Sequence, residues 1–201
     1  MKVKGNHFRS IWFDEKSKAV NIIDQRVLPY EFEVISIDTL EDFELAIKDM
    51  VVRGAPLIGA TAAFGMACQM RRDPSDECVH IGWERLHKTR PTAINLKWAL
   101  DRCKSALLKV PIKSRAELSM ELAKKIADED VEMNRNIGLH GLKIIREIAA
   151  NKSLDDPVRL LTHCNAGWLA TVDWGTATSP MFQAFDNDVP IHVWVGETRP
   201  R

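Results

Sequence analysis

Val158-Arg159-Leu160-Leu161-Thr162-His163 and Pro190-Ile191-His192-Val193-Trp194-Val195 stand either side of a turn and a helix in a chain of 201 residues. Both runs are short, apolar and rich in residues that favour strands. Strand, helix, strand is the opening of a parallel α/β sheet. Such sheets need cover on both faces, and two strands with one crossover helix cannot close a core of their own. The chain therefore reads as stopping short of a complete sheet, or as leaning on its own N-terminal half or on a partner.

Upstream of this unit, Asn151-Lys152-Ser153-Leu154-Asp155-Asp156-Pro157 is a polar stretch that marks a boundary. The expected units are 1–153 and 157–201. The first opens with antiparallel strands over Arg9–Phe13, Ala19–Asp24 and Glu31–Ile37, the last alternating with period two. Thr39, with Asp42 three residues on, reads as a helix cap, and the helix would run to about Val51. Further helices are expected over Pro56–Arg71, Ser75–His87, Thr92–Leu108 and Ser114–Ala150. In the last, Leu118, Leu122, Ile126, Val131, Ile137, Ile144, Ile145 and Ile148 mark a core stripe. The fold class is α/β: an α+β N-terminal domain with a small antiparallel sheet and a helical bundle, then the start of a parallel α/β domain.

Two starts in the helical region share a pattern. In Val52-Arg53-Gly54-Ala55-Pro56-Leu57-Ile58-Gly59-Ala60 an arginine precedes a proline that suits the first position of a helix. Arg90-Pro91-Thr92-Ala93-Ile94-Asn95 repeats it. The free amides and positive dipole end of a helix N-terminus attract anions, phosphate above all. The competing reading of each arginine is a loop cation paired with a nearby carboxylate. Two such starts in one small chain point to a shared phosphate pocket.

Charge and cysteine usage narrow the classes. Lysine plus arginine equals aspartate plus glutamate, 28 each, so the net charge is zero. A duplex nucleic-acid binder would show a clustered basic excess. No run has the apolar length of a membrane span, and the first residues lack the apolar core of a signal peptide. Cys68, Cys78, Cys103 and Cys164 form no C-x-x-C pair and no zinc-like spacing. Free thiols in a reducing cytoplasm are the simplest expectation.

Cys164 falls at the C-terminal end of the first parallel strand, ahead of the helix. That edge is where open α/β sheets bind ligands, and a thiol near helix amides can be acidified. A buried structural cysteine is the alternative. His163 is a poor base for it, because adjacent strand residues point to opposite faces. Asn165 either makes the turn or bonds a substrate hydroxyl. His80, Glu84 and His87 could share a helix face, but their spacing is not that of a zinc motif. His140 and His192 lie among apolar residues and are expected to be packed.

Four segments, taken in order, resemble one family. They are Arg53-Gly54-Ala55-Pro56-x-Ile58-Gly59, Arg90-Pro91-Thr92-Ala93-x-Asn95-Leu96-x-Trp98-Ala99-Leu100, Thr162-His163-Cys164-Asn165-Ala166-Gly167 and Glu197-Thr198-Arg199-Pro200-Arg201. The chain is similar, from about Val20 onward, to methylthioribose-1-phosphate isomerases. It shares with them the earlier Ile23-Asp24-Gln25-x-x-Leu28-Pro29 as well. Their superfamily includes ribose-1,5-bisphosphate isomerase and regulatory subunits of a translation-initiation exchange factor. The resemblance implies a Rossmann-like C-terminal domain, a cytoplasmic homodimer, and no cofactor or metal. It implies conversion of 5-methylthioribose 1-phosphate to 5-methylthioribulose 1-phosphate in methionine salvage, with 5-deoxyribose 1-phosphate as a further substrate. It also implies that Arg53, Gly54, Ala55 and Arg90 hold the sugar phosphate. Cys164 would then be the catalytic thiol, with Asn165 and Asn95 as additional candidates.

The sequence departs from the family pattern in several places. The family's catalytic aspartate, in a Gly-Ala-Asp-Arg motif, belongs beyond Arg201, as do a substrate-binding Gln and an Asn-Lys pair. Trp168 stands where a small residue is common, and Gly196 where aspartate is common. The alternative reading within the superfamily is a non-catalytic subunit that senses sugar phosphates or nucleotides.

Overall fold

A computed structural model describes residues 1–153 and 155–196. The fold is α/β. A short hairpin of β1 (Lys2–Val3) and β2 (Asn6–His7) precedes a three-stranded antiparallel sheet. That sheet is built from β3 (Ile11–Asp14), β4 (Ala19–Ile23) and β5 (Val34–Ile37), with β4 central. The register sets Ile11 opposite Ile22 and Val20 opposite Ile37, so one apolar face is turned inward. The third strand is shorter than its alternation predicts, because Glu31–Glu33 lie outside the ladder.

Thr39 caps α1 (Leu40–Lys48) as expected: its hydroxyl accepts the Asp42 amide, and the Asp42 carboxylate accepts the Thr39 amide. At the centre is α2 (Ala55–Arg72). It is apolar or small on nearly every side, and α1, α3 (Asp76–Thr89), α4 (Ile94–Leu107) and α5 (Arg115–Ala149) pack around it. A helix without a polar face is stable only as the core of a bundle. Its small residues set the approach: a Cβ on Gly65 would stand 3.1 Å from the Phe43 side chain, and one on Gly59 2.9 Å from the Asn95 carbonyl.

The 35-residue α5 is about 50 Å long and belongs to two packing clusters. Its first half closes the large core around α2 through Ala123, Ile126 and Ala127. Its second half meets α6 (Ser179–Asp186) and the strands β6 (Val158–His163) and β7 (Ile191–Gly196) through Leu142 and Ile145. The two strands are parallel, with Val158 opposite Ile191 and His163 opposite Gly196.

The structure corrects several expectations. Ile137, Ile144 and Ile148 do not join the core; they are exposed, together with Met133. The stripe read from periodicity is real, but the bundle covers only its first half. Pro56 is the second residue of its helix rather than the first, with Gly54 as cap. The second Arg-Pro pair does not start a helix: Arg90 is the C-cap of α3, Pro91 and Thr92 form a turn, and α4 begins at Ile94. His140 and His192 are exposed rather than packed. Finally, no α-helix follows Cys164 directly. A 3-10 turn at Trp168–Ala170 comes first, and the crossover helix starts only at Ser179.

Candidate functional site

Gly54 takes φ +105°, a conformation open to glycine and strained for other residues. It lets the chain enter α2 with no side-chain cap. The amides of Gly54, Ala55 and Leu57 find no acceptor among the described residues, as the first turn of a helix requires if nothing caps it. Beside them stands Arg53, half-buried, whose only hydrogen bond among the described residues runs from Nε to Oε1 of Gln25, at 3.3 Å. Neither Arg53 nor Arg90 pairs with a carboxylate among the described residues. Among the described residues, then, neither is an ion-paired loop arginine. A cation without a counter-charge beside open helix amides is a site that favours an anion.

The same corner is held against the turn that follows the thiol. A Cβ on Gly54 would lie 2.3 Å from the Ala170 Cα and 2.4 Å from its carbonyl oxygen, so the two backbones touch. Gln25 Nε2 donates to the Leu169 carbonyl at 2.8 Å. The Ser10 amide donates to the Val172 carbonyl at 2.9 Å, and the Val172 amide donates to Asp130 at 2.7 Å. The turn 168–173 is thus fixed by the residue just before β3, by the segment after β4, by α2 and by α5. Burial pushes the Asp130 carboxyl above the ordinary carboxylate range, against the pull of its bonds from Val172 and Asn134.

Cys164 is the first residue past β6, with φ +69°. It is exposed, and it lines a cavity of about 700 Å³ with Thr162, Asp173, His7, Trp174 and Phe182. Neither Arg53 nor Arg90 lines that cavity. His163 turns to the other face, where its Nδ1 lies 2.3 Å from the place a Cβ on Gly196 would occupy. Glycine at 196 leaves room for that ring. Among the other thiols, burial pushes Cys68 and Cys103 up to about 12, which keeps both protonated and inert near neutrality. Cys78 donates to Asp73.

Of the remaining candidates, Ala55 is exposed at the mouth of α2 and Asn165 is exposed just past the thiol. Asn95 lies in the first turn of α4, its backbone against Gly59 one turn into α2. Arg90 is exposed at the end of α3. The fold therefore joins Arg53, Gly54 and the turn after Cys164 directly, and brings Asn95 to the neighbouring helix start. The Glu197-Thr198-Arg199-Pro200-Arg201 segment lies outside the described residues.

Sequence reasoning missed two pairs. His7 Nε2 and Asp173 Oδ2 stand 2.7 Å apart in the wall of the Cys164 cavity, with Asp173 only 2% exposed. Gln25, 3% exposed, bridges Arg53 and Leu169. The Asp24-Gln25 segment was visible as a motif, but nothing local says which way a glutamine points. Among the described residues no group of three or more histidine, cysteine or acidic side chains could hold a metal ion. His87 instead stacks on Trp83 at 4.8 Å. No helix among them is long and apolar enough to cross a membrane.

The model of the initiation factor 2 subunit family matches residues 51–201. All 201 residues align at 56% identity with methylthioribose-1-phosphate isomerase of Sinorhizobium medicae (strain WSM419), covering 55% of that protein. The corresponding protein of Escherichia coli O45:K1 (strain S88 / ExPEC) is 53% identical over the same 201 residues, which cover 54% of it. Among solved structures, 5-methylthioribose 1-phosphate isomerase from Pyrococcus horikoshii OT3 superposes with a TM-score of 0.83 at 37% identity, over 97% of this chain and 54% of that one. Translation initiation factor eIF-2B subunit delta from A. fulgidus gives 0.81 at 38% identity, over 96% and 56%. The chain spans about half the length of the curated relatives it matches.

Proposed function

The chain belongs to the initiation factor 2 subunit family, and on that footing we propose that it supplies the phosphate-holding half of an aldose–ketose isomerase. The substrate is 5-methylthioribose 1-phosphate and the product 5-methylthioribulose 1-phosphate, in cytoplasmic methionine salvage. The observation that carries this reading is the union of Arg53, which meets no carboxylate among the described residues, and the open α2 amides with the turn that leads back to Cys164.

The chemistry asks for such a union. C1 bears a phosphate ester, so the ring cannot open as a free aldose does. Moving hydrogen between C1 and C2 needs a positioned acid and exclusion of water. Arg53, Gly54 and Ala55 hold the phosphate, with Arg90 adding charge, and Asn95 or Asn165 meets a sugar hydroxyl. Cys164 supports the transition state or shuttles a proton. Its thiol faces a largely apolar cavity that the crossover helix α6 also lines. The remaining acid is supplied by sequence of the kind the longer relatives carry. The active form is a homodimer, and neither a metal nor a redox cofactor is needed for the step.

The test is a ketose-formation assay on the 201-residue chain and on a form continued to the length of its relatives. The longer form is expected to turn over 5-methylthioribose 1-phosphate, and the shorter one to be slower by about two to four orders of magnitude, the usual loss for a missing general acid. Equal rates would remove the claim that a later acid is required. The likeness to an eIF-2B subunit supports a second reading, a sugar-phosphate-sensing subunit without catalysis. Cys164→Ser in the longer form separates the two: an unchanged cellular role favours sensing, and a collapse in kcat favours the isomerase.

A further inference from the structure

We infer that Gln25 is a positioning residue that aims the Arg53 guanidinium at its anion and locks it to the turn behind Cys164. Gln25 is all but removed from solvent, and both ends of its amide are used. Oε1 accepts from Arg53 Nε at 3.3 Å and Nε2 donates to the Leu169 carbonyl at 2.8 Å. Its own backbone amide donates to Val51, two residues before Arg53, at 2.9 Å. One side chain therefore spans the two parts of the site. By engaging Nε it leaves both terminal guanidinium nitrogens without an acceptor among the described residues and free for a ligand.

The choice of glutamine has a chemical reason. Only a side chain with both an acceptor and a donor serves the two neighbours at once. A carboxylate would bond Arg53 but cancel its charge, and it would face the Leu169 carbonyl with no proton to offer. A neutral amide orients the cation and leaves the charge for the phosphate. Buried and doubly bonded, it also limits the rotamers of a long side chain whose freedom would otherwise be lost on binding.

This inference rests on the reading of Arg53 as an anion-holding residue, and the experiment separates the two. Binding of inorganic phosphate and of ribose 1-phosphate to the 201-residue chain is measured by calorimetry. The variants are Gln25→Met, Gln25→Glu, Arg53→Met and Ser36→Ala, with melting followed in parallel. Ser36→Ala removes the Ser36–Asn21 hydrogen bond between β4 and β5 and serves as the stability control. Gln25→Met is expected to weaken phosphate about tenfold, the scale of a lost hydrogen bond to a charged group. Gln25→Glu is expected to weaken it further while melting no lower than Gln25→Met, and Ser36→Ala to bind as the unaltered chain does. The Arg53 Nε–H resonance should shift in both Gln25 variants and stay in place in Ser36→Ala. If Gln25→Met fails to fold, the Gln25→Glu arm and its resonance carry the test. Unchanged affinity in both Gln25 variants, with Arg53→Met unable to bind, overturns the role of Gln25 and leaves the anion site standing. Unchanged affinity in Arg53→Met overturns the anion site and the inference together.

Discussion

The helical bundle and the strand–helix–strand unit are stabilised to very different degrees. Around α2 the core includes Phe43, Phe64, Leu57, Leu96 and Leu100, all essentially without exposure. Of its apolar side chains, the unit built from β6, α6 and β7 buries only Val158 and Ala184, against Leu142 and Ile145 of α5. On the face away from α6, Leu161 is 80% exposed and Trp194 59%. Buried apolar area is the dominant favourable term in folding, so the first region can hold itself together and the second depends on α5. The thiol belongs to the second region, and Arg53 with the open α2 amides to the first. The turn 168–173 joins them through bonds that originate in the better-packed region.

The sharpest way to break the contrast is to hollow the strong region. Phe64→Ala should cost about 4 kcal/mol in a urea titration and unfold both regions together, since α5 is shared. Survival of α2 protection in amide exchange would refute this. Gly54→Ala comes next: a positive φ and overlap with Ala170 should cost about 2–3 kcal/mol. That substitution attacks the seam itself, and amides of 168–173 should lose protection before those of α2. Val158→Ala, in the weak region, should cost about 2 kcal/mol. Exchange in β6 and β7 should accelerate while α2 stays protected.

A smaller effect probes Asp130, the half-buried carboxylate that accepts from the Val172 amide. Its folded pKa lies above its unfolded value because burial disfavours the charged form. Its favourable contribution is therefore present below about pH 4, the unfolded value, and is lost as pH rises through the folded pKa. Asp130→Asn keeps an acceptor and has no charge to bury. The melting temperature of the variant relative to the unaltered chain should rise between pH 4 and pH 7, and a flat difference would show that burial does not control this carboxyl. Smallest of all, Leu161→Gln on the open strand face should change stability by less than about 0.5 kcal/mol. A larger loss would mean that the face is already packed.

The elements were largely legible because each is announced by local chemistry. Thr39 and Asp42 form their cap wherever the chain goes, and the apolar run of α2 can only be a core helix. The parallel pair was readable from two short β-branched runs around one helix. Legibility failed where local signals are degenerate. Proline after arginine marks a turn as readily as a helix start, which is why Arg90-Pro91 misled. Periodicity places Ile137, Ile144 and Ile148 on one side of a helix but does not say what lies opposite.

Sequence alone determined which residues favour helix, strand and turn, and which positions offer a cation or a thiol. These follow from backbone stereochemistry and side-chain chemistry acting over a few neighbours. Only the tertiary structure decided that Gln25, Gly54 and Asp130 converge on one turn, and that the α5 stripe leaves the bundle halfway along. Those facts depend on which distant segments come into contact, and contact between distant segments is set by packing of the whole core.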